Sequence, residues 1–194
     1  MDRRRIALST LLSSSLLLAS CSTALFKVKP ATALPPLPPE SRSADASGVT
    51  VRVAPLLTDE QAQELFEANL PVAGILPVRI ELNFQSGVPI ELKQARFSVR
   101  DGQNRSWKLL TTKQAASRIM KANGVFLYNP YSKKQFQSDL GAYRIDLKTQ
   151  LDSNQSPRRG FLFFQTPDKR PVEYSQKLTL VIERLPQPVS IPLN

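Results

Sequence analysis

The 194-residue chain contains no histidine. That absence excludes Ser-His-Asp and Cys-His catalysis, histidine metal sites and the commonest general base near neutral pH. Cys21 is the single cysteine, so an intramolecular disulfide cannot form and thiolate zinc or iron–sulfur ligation is excluded. There is no G-x-S-x-G elbow, no S-x-x-K pair, no phosphate-cradling glycine loop and no D-x-D-x-D calcium pattern. Glycine is scarce, at seven residues. No apolar run reaches the roughly 20 residues that span a bilayer. Carboxylate chemistry is what remains, and glycoside hydrolysis needs two acids facing one bond. Glu60, Glu64 and Glu67 read instead as helix-cap and solvent-facing charge, and Asp139 and Asp146, one heptad apart, as exposed. No catalytic residue, metal ligand or cofactor is expected, and a carboxylate hydrolase is only a third-ranked class.

What is present begins at the amino end. Arg3, Arg4 and Arg5 precede an uncharged stretch from Ile6 to Ala19. A basic head, a short apolar run and small residues at its end make a secretory signal peptide. Leu18, Ala19, Ser20 and Cys21 resemble the lipobox of bacterial lipoproteins. The resemblance implies cleavage between Ser20 and Cys21, diacylglycerol on the thiol, and acylation of the new amino terminus. It therefore implies a bacterial envelope protein anchored in a membrane through Cys21. Ser22 stands where an inner-membrane retention aspartate sits in enteric lipoproteins, which points to the outer membrane, facing the periplasm. The arginine run is also faintly similar to a twin-arginine export motif, but lacks its flanking residues.

Residues 1–20 hold three arginines and one aspartate, so the remainder carries 23 basic and 15 acidic side chains, a net charge of +8. Such a surface favours anionic lipid, anionic glycan or acidic partners. An envelope location argues against nucleic acid. Residues 21–47 read as a lipidated tether. Five prolines between Pro30 and Pro39 favour an extended spacer of about 3.1 Å per residue.

The domain is expected over 48–194. "VTVRV" (49–53) and "VRIELNF" (78–84) alternate with period two, as half-buried strands do. Thr58 with Gln61 and Thr111 with Gln114 have capping-box spacing, which predicts helices over 59–67 and from 111 to Asn123-Gly124. "ARFSVRDGQNRSWKLL" (95–110) reads as a hairpin. Ser132 with Gln135 suggests a third capping box. A stripe of Phe136, Leu140, Tyr143, Leu147 and Leu151 favours helix across 133–151, broken at Gly141, although Tyr143, Ile145 and Leu147 also alternate. "GFLFFQT" (160–166), "KLTLVIERL" (177–185) and "VSIPL" (189–193) are strands, the last an edge strand by its prolines. The expected fold is mainly β: an antiparallel immunoglobulin-like β-sandwich of about seven strands with two or three inserted helices, the main insertion at about 111–151. This layout, with "GFLFF" leading into a late hairpin, resembles immunoglobulin-like domains of uncharacterised bacterial lipoproteins, a resemblance that implies no particular activity.

Two non-catalytic functions follow. The first is a protein–protein interaction or scaffold module for an envelope partner, using the terminal edge strand for strand addition. The second is a binding module for envelope glycan or anionic lipid. Its candidate residues are Tyr128, Tyr131, Lys133 and Lys134 in "VFLYNPYSKK", where aromatics and lysines adjoin. The plainer alternative is that Phe126 and Tyr128 plug the space between a helix and the sandwich.

Overall fold

The computed structural model describes residues 25–173 and 177–194. Ser20, Cys21 and the expected signal peptide lie outside the described residues. The strands are β1 (Arg42–Asp45), β2 (Val49–Pro55), β3 (Ile75–Phe84), β4 (Ile90–Glu91), β5 (Arg96–Arg100), β6 (Ser106–Leu109), β7 (Gln150–Leu151), β8 (Arg158–Gln165), β9 (Thr179–Glu183) and β10 (Val189–Pro192). The helices are α1 (Asp59–Phe66), α2 (Thr112–Ala122) and α3 (Pro130–Ala142). Eight strands form one antiparallel sheet in the order β1-β2-β3-β8-β6-β5-β9-β10, and β4 pairs separately with β7. Edge strands β1 and β10 come within 8 Å between Cα atoms. The Ser47 hydroxyl beside β1 donates to the Gln187 side-chain oxygen before β10, at 3.2 Å. The sheet is thus rolled nearly closed. The fold is mainly β and antiparallel, as expected. A continuous ladder takes the place of the two facing sheets of an immunoglobulin-like sandwich.

Local signals explain most elements. Both predicted capping boxes are formed: Thr58 and Thr111 each accept from the backbone three residues on, and Gln61 and Gln114 reach back. Helix α1 ends at Glu67 in the left-handed region, φ 49°, and the turn after α2 uses Gly124 at φ 72°. The alternating strands divide their side chains between two cores. Val49, Val51, Val53, Val78, Ile80, Leu82, Leu162 and Phe164 fill the inside of the rolled sheet with Leu180 and Ile182. Phe161 and Phe163 point the other way, into a cluster with Phe66, Ile119, Phe136, Leu140 and Tyr143. Strand β8 is therefore apolar on both faces, which is why "GFLFF" does not alternate. Phe66 lies edge-on to Tyr143, Phe161 and Phe163, with centroids 5.1, 5.6 and 5.8 Å away.

The amino-terminal segment departs from expectation. Residues 25–47 are not a free tether. Phe26 is buried against Phe136, with centroids 4.6 Å apart. The Lys27 amide donates to the Glu67 carboxylate at 2.5 Å and the Lys29 amide to the Leu65 carbonyl at 2.9 Å. Leu37 is buried, and β1 pairs with β2 from Arg42 to Asp45. Apolar residues interspersed among the prolines give this extended chain something to bury, so it lies as a strap on the domain. Limited trypsin digestion of the folded protein should therefore spare the bond between Lys27 and Val28. Immediate cleavage there would restore the free tether.

The second departure is at α3. Its cap is Asn129, with Pro130 in the first turn, not Ser132, which is buried. The helix stops at Ala142, and residues 143–147 lie along β8 instead of continuing it. The Phe161 amide donates to the Tyr143 carbonyl at 2.6 Å, and the Ile145 amide to the Phe161 carbonyl at 3.2 Å. Gly160 permits this. A Cβ there would sit 2.4 Å from the Ile145 nitrogen. Backbone pairing with β8 overrides the helical stripe.

Candidate functional site

The loop between α2 and α3 is held at both ends. The Asn123 amide group donates to the Ile119 carbonyl at 2.9 Å and its side-chain oxygen accepts from the Asn69 backbone at 3.2 Å. Val125 closes the end of α2 by donating to the Met120 carbonyl at 2.9 Å. At the other end the Asn129 side chain accepts from the Tyr131 amide at 2.8 Å. The chain between these anchors projects apolar side chains into solvent. Phe126 is 70 % exposed, Leu127 96 % and Tyr131 79 %. Phe126 and Tyr128 are thus not plugs between helix and sheet. Of the large apolar side chains exposed among the described residues, only Val72 and Val88 lie elsewhere. A contiguous exposed apolar patch of this kind marks an interaction surface.

Cations surround it. The Lys133 ammonium lies 5.2 Å from the Tyr128 ring centroid and donates to its hydroxyl at 3.3 Å. Lys121 and Lys134 are exposed nearby. A shallow cavity of about 290 Å³ between α2 and the loop is lined by Met120, Lys121, Val125, Phe126, Tyr128 and Lys133. The structure brings Tyr128 and Lys133 into contact and places Tyr131 and Lys134 on the adjoining first turn of α3.

The acidic residues weighed for hydrolysis are dispersed. Glu64 pairs with Lys29 at 2.9 Å, Asp139 accepts from Gln135 at 2.7 Å, and Asp146 accepts from Lys148 and Thr149 at 2.8 and 2.6 Å. Among the described residues no three His, Cys, Asp or Glu side chains gather as a metal site would require.

A second site was not anticipated. On the outer face of the sheet, register places Arg52 of β2 opposite Glu81 of β3, and Glu81 opposite Arg159 of β8. Glu81 pairs with Arg52 at 3.5 Å and with Arg159 at 2.5 Å, and accepts from Asn83 at 2.9 Å. Burial alone would raise the Glu81 pKa. The hydrogen bonds from Asn83 and Arg159 and the charges of Arg159 and Arg52 outweigh it, leaving the carboxyl below its usual range. Arg79, two residues before Glu81, donates to the Pro35 carbonyl of the strap at 2.6 Å and lies over the Phe161 ring at 5.9 Å. Burial, then the like charge of Arg159, lowers its pKa. Arg79 and Arg159 line a groove of about 400 Å³ beneath the strap. The sequence signal was slight: polar positions of strands that otherwise read as core.

Among the described residues no helix is long and apolar enough to cross a membrane. No known family model, curated protein or solved structure matches the chain.

Proposed function

We propose that this is a non-catalytic lipoprotein of the bacterial envelope, anchored through Cys21, whose α2–α3 loop docks on an anionic membrane surface. The observation that carries the reading is the cluster of exposed Phe126, Leu127, Tyr128 and Tyr131 rimmed by Lys121, Lys133 and Lys134. Aromatic and aliphatic side chains enter the headgroup boundary, and each nearby lysine adds attraction of about 1 kcal/mol on an anionic leaflet. The strap supports it. Cys21 precedes Leu25 by four residues, so an anchor there lies within about 14 Å of Leu25 even with the chain fully extended. Phe26 packs on Phe136, and the first turn of α3 is about 9 Å along the helix from there. This short reach supports an anchor and a loop that meet the same bilayer.

The scaffold reading loses its expected route, because β1 already lies alongside the free edge of β10. A protein partner would have to use the same loop. Both readings are separated by placing a tryptophan at Leu127 in the acylated protein, since Trp107 is buried and supplies a constant background. In vesicles of phosphatidylcholine and phosphatidylglycerol, the Leu127→Trp emission should shift to the blue and be quenched by brominated acyl chains. Unquenched, water-like emission would overturn membrane docking. A single protein crosslinked from position 127 in cells would install the scaffold reading instead.

A further inference from the structure

We propose that the groove between the strap and the outer face of β3 and β8 binds a phosphate ester carried on a compact apolar body. The site does not depend on acylation of Cys21 or on the α2–α3 loop.

The first argument is charge. Arg52 and Arg159 share a single carboxylate, Glu81. Among the described residues no carboxylate lies within ion-pairing distance of Arg79, whose acceptor is the neutral carbonyl of Pro35. Of the arginines that line the groove, Arg159 is paired with Glu81 and Arg79 is not paired, so positive charge is left in the groove, and a phosphate monoester, with a charge of about −2, would meet it. The second argument is geometry. Arg79 and Arg159 are diagonal neighbours across the β3–β8 ladder, because Arg79 faces Phe161 and Glu81 faces Arg159. Guanidiniums are planar forks suited to phosphate oxygens. Arg79 is oriented on one side by the Phe161 ring and at its tip by Pro35, so little side-chain freedom remains to be lost on binding. The third argument is the wall. Ala31, Leu34, Pro35, Pro36 and Ala142 make the rest of the groove largely apolar, and its volume of about 400 Å³ falls in the range of small-ligand sites. A bare inorganic ion would leave that wall uncovered.

The probe is phenyl phosphate, titrated calorimetrically into the full chain in a neutral maltoside detergent. Saturable binding is expected, with inorganic phosphate and phenol each at least tenfold weaker. Arg79→Gln should weaken phenyl phosphate at least tenfold, and Arg79→Lys should not restore it. Should Arg79→Gln fail to fold, Leu34→Trp decides, because it fills the groove while both arginines remain. Phenyl phosphate binding that is unchanged in a folded Arg79→Gln or Leu34→Trp protein would overturn the site. So would phenol binding as tightly as phenyl phosphate. The ester's source is read by competition. Displacement by phosphatidylcholine vesicles containing phosphatidate, but not by phosphatidylcholine alone, assigns a lipid headgroup. No displacement by either assigns a soluble ester.

Discussion

Replacing Gly160 with alanine should cost the domain at least about 4 kcal/mol, because overpacking here meets backbone and not a pliable side chain. The added carbon would lie 2.4 Å from the Ile145 nitrogen, 2.5 Å from its Cα and 2.9 Å from the Arg144 carbonyl carbon. Residues 143–147 would have to lift off β8. That movement breaks the paired hydrogen bonds between Phe161 and residues 143 and 145. It also draws Tyr143 out of the outer core and Ile145 out of the inner one, where each is essentially fully buried. For a domain of this size the melting temperature should fall by about 8–16 °C. Calorimetry on the purified variant measures it. A change of less than a degree or two would show that this stretch of chain shifts without loss.

Asp101→Ala is the other large effect, expected at about 3 kcal/mol. This carboxylate is almost fully buried, with its side chain 1 % exposed. It accepts from the backbone of Gln103 and Arg105 at 3.0 and 2.9 Å, from Arg105 Nε at 2.8 Å and from Trp107 Nε1 at 3.3 Å. Alanine leaves those donors facing each other without an acceptor, and one belongs to the only tryptophan, so its emission reports the change directly. Burial acts to raise the Asp101 pKa, but the hydrogen bonds from Arg105, Trp107 and Gln103 outweigh it and hold the group below the ordinary carboxylate value. A lowered folded-state pKa means stability that is complete above the unfolded value of about 3.9 and lost as pH falls through the folded one. Denaturation midpoints of the wild type should therefore drop on acidification below about pH 4, and Asp101→Ala should show a shallower acid limb. Parallel acid limbs in the two proteins would contradict this account.

What could be read from the sequence was local. The "VTVRV" and "VRIELNF" alternations, the Thr58 and Thr111 caps, the Asp101 hairpin and the edge position of the proline-bearing last strand all depend on neighbouring residues, and all are in the structure. What went wrong depended on distant partners. Periodicity identifies strands but not their order, so nothing local distinguishes a sheet that rolls nearly closed from two that face each other. Prolines near Pro30–Pro39 correctly signal extended backbone. They say nothing about whether Phe136 and Tyr143, more than a hundred residues on, offer a surface to lie against. The helical stripe through Tyr143 and Leu147 is real, but Gly160 on another strand decides the outcome. The same division holds for the sites. The aromatic–lysine loop is contiguous and could be picked out. The arginine groove exists only because β3 and β8 pair in one register beneath the strap.

The strap also sets an order of events as the chain is made. Synthesis delivers residues 25–45 first, yet the carbonyl of Lys29 receives its hydroxyl donor from a residue 114 positions later. The segment must wait for its seat until those later residues have joined it. During that interval it is bare chain. A stretch rich in proline lacks many of the amide donors that another strand would need for pairing. The feature that makes this segment look like a spacer thus protects it from mispairing until the rest of the protein arrives.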